Sequence, residues 1–564
     1  MIKDRLKLLK KKFSKFNIDG YVIPKNDDYF SEYAEIDRLK IISEFTGSSG
    51  LAIIFKKKNH LFVDGRYTIQ AKKQSGKKFY IHEIPKFFPK NIYKKKLTLG
   101  INPKLFTKKI LNTYFGNNIN LKNIDEDLIV NKFTKEKSKP FFNLTNRIAG
   151  ETHQSKINRL CKILKKKKSK YLFVTAPENT AWILNIRGYD NPNSPIPNCR
   201  MLLTSKKKIY FFTDHGKAKN IINSKKLKPH QVFHTDKLKE ILNKLDQGNI
   251  IIDNLSCSIF NEDIITSKLN IVDKIDPTYE LKSIKNKKEI QGMISSHILD
   301  GIALTKFIYW IKNVNKKKIT EISAEKKLEK FRSLNKEYVY PSFNTIAGSG
   351  PNGAIVHYRA TKKSNRTINK KDLFLCDSGG QYKYGTTDVT RTLCFSKQNN
   401  NIKNIYTKVL KGHIAVVSAN LKKYTNGRKI DFLARKSLRQ SGLNYSHGTG
   451  HGVGFFLNVH EGPQSISKYN KVKIREGMIL SNEPGYYKEG KYGMRIENLV
   501  FVKKNNNKIF FENLTYVPLE KELINYKLLN KKEKDYLFMY HLSIYSKLSK
   551  YLNISERKWL AQLI

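Results

Sequence analysis

The sequence predicts a chain of mixed α/β and α+β class: two related α/β domains, an α+β domain behind them, and a helical extension at the end. Three observations carry this reading. Stretches on either side of about residue 145 repeat one order of buried strand, turn, strand and closing Asp turn. Apolar spacing becomes helical from about Ile284. Between about Phe343 and Val502, short strand-like runs alternate with glycine-rich turns.

The first domain, 1–145, opens on a short basic amphipathic helix. YVIP (21–24) follows as a buried strand, and FTGSSGLAIIF (45–55) is a turn feeding a second. HLFVDGRY (60–67) is a third strand, closed by an Asp-Gly turn. The second domain, 146–280, repeats the order with poor sequence identity. YLFVTAP (171–177) is its first strand, AWILNIRG (181–188) leads to RMLLT (200–204), and KIYFFTD (208–214) closes it. The third domain, 281–510, begins with KNKKEIQGMISSHILDGIALTKFIYWIK as one long helix, with a second helix at about 324–334. The end, 511–564, is helical again from about Lys531 and carries Trp559. No Pro- or Ser-rich linker separates these segments, so the domains are expected to pack rather than hang on tethers.

Composition narrows the function. At 564 residues the chain holds three or four domains of roughly 150 residues, and 39% hydrophobic residues suffice for ordinary cores. The net charge of +59 invites a nucleic-acid or anionic-membrane reading. The distribution argues against both. Lysines are spread along the whole length in small runs such as 165–168 and 316–318, with no arginine-rich tail and no nucleic-acid-binding motif. The expectation is a solvated Lys-rich surface, no specific nucleic acid and no membrane partner. Five single cysteines without a CxxC pair suit a reducing compartment. Cys376, beside Asp377, is read as a buried structural thiol pointing the other way from its neighbour. No run approaches the roughly 20 apolar residues of a membrane span, and the N-terminus lacks a signal-type apolar core. A cytoplasmic protein is expected.

The chemistry concentrates in the last third. Asp377 (LCDSGGQY), Asp388 (GTTDVTRT), His451 (HGTGHGVG), Glu483 (SNEPGYY) and Glu497 (MRIENL) form an ordered series of metal-type ligands. Asp377 and Asp388 are eleven apart, and Glu483 and Glu497 fourteen apart, with glycines between the members of each pair. Each pair is expected on two strands joined by a turn, one hairpin from each half of a duplicated domain. Four clustered carboxylates repel one another, and burial worsens the repulsion. Two divalent cations offset both, so the set reads as a two-metal hydrolase. Its carboxylate-rich character suits hard, labile ions such as Mn²⁺. His357, His447 and His460 stand near glycine-rich turns in the same region. With His447 and His451 four apart and two glycines between them, a loop is expected there rather than a helix face. Imidazoles beside a metal site can hydrogen-bond a substrate carbonyl or a developing oxyanion.

The ordered motifs GPNGAIVHY, DSGGQY, TTDVTRT, HGTGHGVG, NVHEGP, NEPGYY and GMRIEN resemble those of the pita-bread metallopeptidases. Within that group they resemble the aminopeptidase P family, the Xaa-Pro aminopeptidases, in its long three-domain form. FTGSSG and DGRY resemble its first domain, PENTAWILNIRG its second, and the WL near the C-terminus its extra tail. The resemblance implies two creatinase-N-like α/β domains, a pita-bread catalytic domain and a helical C-terminal extension. It implies that Asp388 and Glu497 bridge two ions, that His451 and Glu483 complete one, and that Asp377 completes the other. Glu483 would take the proton of the attacking water and pass it to the leaving proline nitrogen. His460 would face the scissile carbonyl, and His357 and His447 would line the pocket for the proline ring. Arg495 would support the ligands from outside, with Tyr487 in its neighbourhood. Short proline-containing peptides are the implied partners, and a homodimer is implied by analogy. Asn482, where some relatives carry Asp, leaves every ligand intact.

Four alternatives fit less well. A prolidase would share the metals, but this chain is long for one. A creatinase-like hydrolase lacks the metals, and methionine aminopeptidase lacks the two N-terminal domains. A non-catalytic pita-bread binding protein would be expected to have lost ligands.

Overall fold

The computed structural model describes residues 2–34, 36–92, 97–116, 119–130 and 139–564. It forms two compact units, Met1–Leu281 and Lys282–Ile564.

The first unit holds two six-stranded sheets of one topology. In the first sheet the spatial order is Tyr80–Ile84, Asn59–Asp64, Leu51–Phe55, Gly20–Pro24, Leu97–Ile101, Ile119–Asn123. In the second it is Val232–Phe233, Ile209–Phe212, Arg200–Thr204, Tyr171–Val174, Asn249–Ile252, Asn270–Asp273. In both, the third strand of this order runs antiparallel to both of its neighbours and every other pair is parallel. The repeat expected from three strands per domain thus extends to six. The central strands are legible because they are covered on both faces, so LAIIF and YLFV are unbroken apolar runs. The outer strands Ile119–Asn123 and Asn270–Asp273 expose part of their length and carry no such run. Residues 181–188 divide into the end of a helix, Pro177–Leu184, and a two-residue strand, Ile186–Arg187. Pro177 starts that helix, and Asn185 ends it in the left-handed conformation.

The second unit is built twice over. Its first half opens on the helix Lys287–Asn313, where Asn286 and Glu289 form a reciprocal capping box. Leu304, Phe307, Ile308 and Ile311 of that helix pack on the helix Glu321–Ser333 and on Phe374, Cys376 and Val389. Each such side chain stabilises the fold by about 1.5–3 kcal/mol relative to exposure. Cys376 lies in this core, as expected, while Asp377 turns the other way. The second half repeats the plan with helices Asn400–Val417 and Gly427–Arg439 behind a five-stranded sheet. Helices Lys531–Leu548 and Ile554–Ala561 close the chain, each with an Asn/Glu capping box. The expected segment boundary at 510/511 falls inside the strand Lys508–Asn513, which pairs with Asn498–Asn505. All five cysteines are free and buried. Among the described residues, no helix is long and apolar enough to cross a membrane.

In the first unit His60 is buried, stacked on His82 with His60 Nδ1 and His82 Nε2 2.9 Å apart. Burial, then the neighbouring His82, pushes the His60 pKa down to about 4. An unfolded histidine titrates near 6.5. The unfolded chain therefore binds more protons than the folded one between about pH 6.5 and 4, and stability falls as pH drops through that window. Urea unfolding of this unit should show a lower midpoint at pH 5 than at pH 7.5. His60→Phe should flatten that slope by up to about one proton; an unchanged slope would contradict the assignment.

Candidate metal centre

The four acids stand where outer strand pairs give way to inner hairpins. Strand Phe374–Ser378 pairs antiparallel with Val389–Leu393, setting Asp377 opposite Thr390. Between them the chain leaves this sheet and forms a second hairpin, Gly380–Tyr382 with Gly385–Thr386, joined to Tyr338–Pro341. In the other half, Ile479–Asn482 pairs with Asn498–Asn505. Its inner hairpin is Gly485–Lys488 with Tyr492–Arg495. The expected plain hairpins are therefore outer pairs with an inner hairpin inserted. Asp388, Glu483 and Glu497 sit in the breaks between strands, where a side chain can leave the plane of either sheet. The break after Asp377 requires glycine: a Cβ at Gly379 would lie 2.0 Å from the Thr387 carbonyl oxygen.

Backbone bonds pin these breaks. Glu497 donates its N–H to Thr390 O at 3.2 Å, and Glu483 donates to Thr449 O at 2.8 Å. Thr390 Oγ1 donates to Glu497 Oε2 at 2.6 Å, and Ser481 Oγ donates to Glu483 Oε1 at 3.1 Å. His451 lies in the short strand Gly450–Gly452, while His447 stays in the loop before it, so the expected loop holds for one of the two.

The five predicted ligands converge. One donor atom each from Asp388, His451 and Glu497 lie within 4.8 Å of one another. His451 Nε2 is 3.4 Å from Asp388 Oδ2 and 3.6 Å from Glu483 Oε1. Its Nδ1 is 2.9 Å from the Gly452 carbonyl oxygen, an acceptor only, so Nδ1 carries a proton and Nε2 is the ring nitrogen turned to the acids. Asp377 Oδ2 accepts from Arg495 Nη2 at 2.5 Å.

Asp388 and Glu497 are almost wholly buried, and burial pushes both carboxyls well above the ordinary range. The neighbouring acids add to this: Asp377 and Glu483 at Asp388, and Asp388 and Glu483 at Glu497. Asp377 Oδ1 and Asp388 Oδ1 are buried without any hydrogen-bond partner. Buried carboxylate oxygens without a partner, with an imidazole nitrogen 3.4 Å from Asp388, fit divalent cations.

The other predicted residues lie around this cluster. Arg495 links Asp377 to Tyr487, donating from Nη1 to Tyr487 Oη at 2.5 Å. His447 gives its Nδ1 proton to Gly448 O at 2.7 Å, so its Nε2 accepts the Tyr487 hydroxyl at 2.9 Å. Burial holds that phenol up at about 12. One hydrogen-bonded chain thus runs Asp377, Arg495, Tyr487, His447. His460 is exposed, and its ring centroid lies 4.2 Å from that of His451. His357 is half-buried beside Val356, whose carbonyl receives Arg495 Nη1 at 3.5 Å.

Supporting residues escaped the sequence reading. Arg435 holds the histidine loop by donating to Tyr445 O at 2.8 Å and His447 O at 2.6 Å, and pairs with Asp431 at 2.8 Å. Glu461, next to His460, is buried between Lys282 and Lys285 at 2.9 and 2.5 Å. Thr390 could have been found: strand alternation puts Asp388, Thr390 and Thr392 on one face. Nothing in the helix GRKIDFLARKSLR distinguishes Arg435 from its solvated neighbours.

Residues 291–504 match the model of metallopeptidase family M24, and 508–563 match that of the C-terminal region of peptidase M24. Residues 5–131 and 132–289 each match a Creatinase/Prolidase N-terminal domain. A probable Xaa-Pro aminopeptidase P of Laccaria bicolor is 36% identical over 99% of this chain and 92% of its own length. One from Paracoccidioides brasiliensis is also 36% identical, over 99% and 98%. The crystal structure of X-prolyl aminopeptidase from Caenorhabditis elegans, described as a cytosolic enzyme with a di-nuclear active site, superposes with a TM-score of 0.90. It is 27% identical and covers 100% of this chain and 99% of that one. Prolidase from Pyrococcus furiosus, 24% identical with a TM-score of 0.51 over 63% of this chain and 98% of its own, shares the fold. The chain belongs to metallopeptidase family M24 and, within it, to the family of its Xaa-Pro aminopeptidase P relatives.

Proposed function

We propose that the protein is a dinuclear-metal aminopeptidase that removes the first residue from peptides with proline in second place. The observation that carries this is the complete donor set, Asp377, Asp388, His451, Glu483 and Glu497, converging with two buried carboxylate oxygens unpartnered. The full-length likeness to Xaa-Pro aminopeptidase P relatives supports the substrate class.

In this reading those five residues hold two divalent ions, Mn²⁺ by the hardness of the donors. Such ions supply Lewis-acid polarisation of a carbonyl and a water acidic enough to ionise near neutrality. Glu483 accepts the water proton and returns it to the departing proline nitrogen. His460, exposed beside His451, donates to the scissile carbonyl oxygen as charge develops there. His357, His447 and Tyr487 line the place of the proline ring. The Tyr487 hydroxyl is engaged by Arg495 and His447, which presents its ring edge at a fixed angle. An Xaa-Pro bond has no amide N–H, so a site for it needs no acceptor there and gains from an apolar ring-sized wall. The peptide's free amino group belongs against the carboxylates, which limits release to one residue. We read the chain as four segments, 1–145, 146–280, 281–510 and 511–564, acting as a cytoplasmic homodimer.

Metal analysis should find about two divalent ions per chain, as a dinuclear site requires. Chelation should abolish turnover and Mn²⁺ should restore it best; full activity in a rigorously metal-free sample would contradict the reading. Glu483→Gln should lower kcat by at least about 10²-fold, and a variant keeping a third of the wild-type rate would exclude the proton-carrier role. His460→Ala should depress kcat far more than it raises KM, because its contact strengthens in the transition state. Mass spectrometry of products should show the first residue released from Xaa-Pro-Yaa, with little from Xaa-Ala-Yaa or N-acetylated peptides. Hydrolysis of Xaa-Pro dipeptides but not tripeptides would move the assignment to a prolidase.

A further inference from the structure

We propose that Arg391 is a positioning residue that makes the C-terminal segment part of the metal centre, holding Glu497 in place through the peptide that carries it. The proposal rests on the metal reading above.

Arg391 stands between Thr390 and Thr392. Those two face the site: Thr390 bonds Glu497 Oε2 and Arg495 Nε, and Thr392 exchanges bonds with the Arg495 backbone. Strand alternation sends Arg391 to the opposite face, where it is 1% exposed. All its donor nitrogens are engaged. Nε donates to Pro518 O at 2.9 Å. Nη1 donates to Thr390 O at 2.8 Å and Glu497 O at 2.7 Å. Nη2 donates to Asn498 Oδ1 at 2.8 Å, Val517 O at 2.7 Å and Tyr540 Oη at 2.9 Å. Tyr540, on the helix Lys531–Leu548, passes its own hydroxyl proton to Val517 O at 2.9 Å.

Two features separate this from ordinary packing. Every acceptor is neutral, and among the described residues no carboxylate lies within ion-pair distance of the guanidinium. A buried cation without an acidic partner is costly, and an apolar side chain of similar volume would fill the space more cheaply. What the guanidinium adds is its planar fork of five donors, which fixes several acceptors at once. Those acceptors include the carbonyl of Glu497 itself. The Glu497 N–H is held by Thr390 O, which Arg391 also grips, and Oε2 is held by Thr390 Oγ1. Thr390 and Arg391 therefore fix every polar atom of Glu497 except Oε1, and Oε2 keeps a second lone pair beside the one Thr390 takes. The far side of the fork is anchored on Val517, Pro518 and Tyr540, so the C-terminal segment sets the position of Arg391.

The test measures Mn²⁺ affinity of the full-length apoprotein against a competing chromophoric chelator. Arg391→Lys keeps the charge and loses the fork. It should raise the Mn²⁺ dissociation constant by about 10- to 100-fold, the usual effect of losing a partner behind the ligands. Tyr540→Phe removes one buried hydroxyl and should raise it by about 5-fold, the worth of one hydrogen bond. KM for an Xaa-Pro tripeptide at saturating Mn²⁺ should stay unchanged in both. Leu548→Ala, in the same helix and fully buried, should lower the melting temperature without moving the Mn²⁺ constant. Wild-type Mn²⁺ affinity in Tyr540→Phe and in any folded Arg391→Lys would overturn the proposal, as would an equal loss in Leu548→Ala. Wild-type protein that binds no Mn²⁺ would sink the metal reading and this one with it.

Discussion

Repulsion among four buried carboxylates is the constraint on which the catalytic unit depends. Asp377, Asp388, Glu483 and Glu497 occupy one small space, and burial and mutual charge push Asp388 and Glu497 far toward the neutral acid. A chain left to minimise this energy would splay them into solvent. It cannot, because three of the four are tied through their backbones: Asp377 within a paired strand, Glu483 to Thr449, and Glu497 to Thr390. The inner hairpins serve the same end. They let the chain leave and rejoin the outer strands, so that acids emerge at the breaks instead of alternating in and out along a ladder.

The side-chain cation that answers this charge at Asp377 is an arginine, Arg495, although the chain is overwhelmingly lysine-rich. Only 17 of its 107 basic residues are arginine. Yet the four largest fully buried side chains are Arg187, Arg332, Arg391 and Arg495. A lysine is a compact, strongly hydrated charge that favours the solvated surface, and the buried Lys282 and Lys285 share a carboxylate partner, Glu461. An arginine is weakly hydrated and donates in a fixed plane, so it can be buried when acceptors are arranged around it. Arg332 illustrates the rule away from the metal cluster: it pairs with Asp300 at 2.7 Å and bonds Ser378 Oγ at 3.0 Å, one residue beyond Asp377. In this composition an arginine points to buried structure far more often than a lysine does: Arg38, Arg187, Arg332, Arg391, Arg435 and Arg495 are buried, against Lys156, Lys282, Lys285 and Lys316 among the far more numerous lysines.

Legibility in the sequence followed the same physics. The four acids and His451 could be picked out because their glycine-rich surroundings are local and ordered, and Asp388, His451 and Glu497 do come together. The two N-terminal sheets could be read from their central strands, whose double-sided burial leaves apolar runs, but not from half-exposed edges such as Asn270–Asp273. The first inner hairpin was missed because Gly380–Tyr382 and Gly385–Thr386 are two or three residues long and the former pairs across sequence with Tyr338–Pro341. A strand that short has no periodicity to detect. Arg391 and Arg435 were missed for another reason: the acceptors that tie them to the site, Glu497 O and His447 O, are backbone carbonyls, which every residue has, so nothing in the sequence marks that link.

Position and repulsion are coupled through the two halves of the unit. Glu497 belongs to the second half but hangs by its N–H from Thr390 of the first, while Glu483 is held by Thr449 within the second. Arg495, from the second half, answers Asp377 in the first, and Arg391, from the first, grips Glu497 in the second. Neither half has its acids placed and neutralised alone. The contacts that close the halves are the same ones that gather the negative charge, so closing them costs electrostatic energy that Arg495 offsets in part at Asp377. Carboxylate oxygens such as Asp377 Oδ1 and Asp388 Oδ1 stay open inside this close-packed core. In the proposed two-metal reading they are the oxygens that face the ions, and cation binding would favour the joined halves.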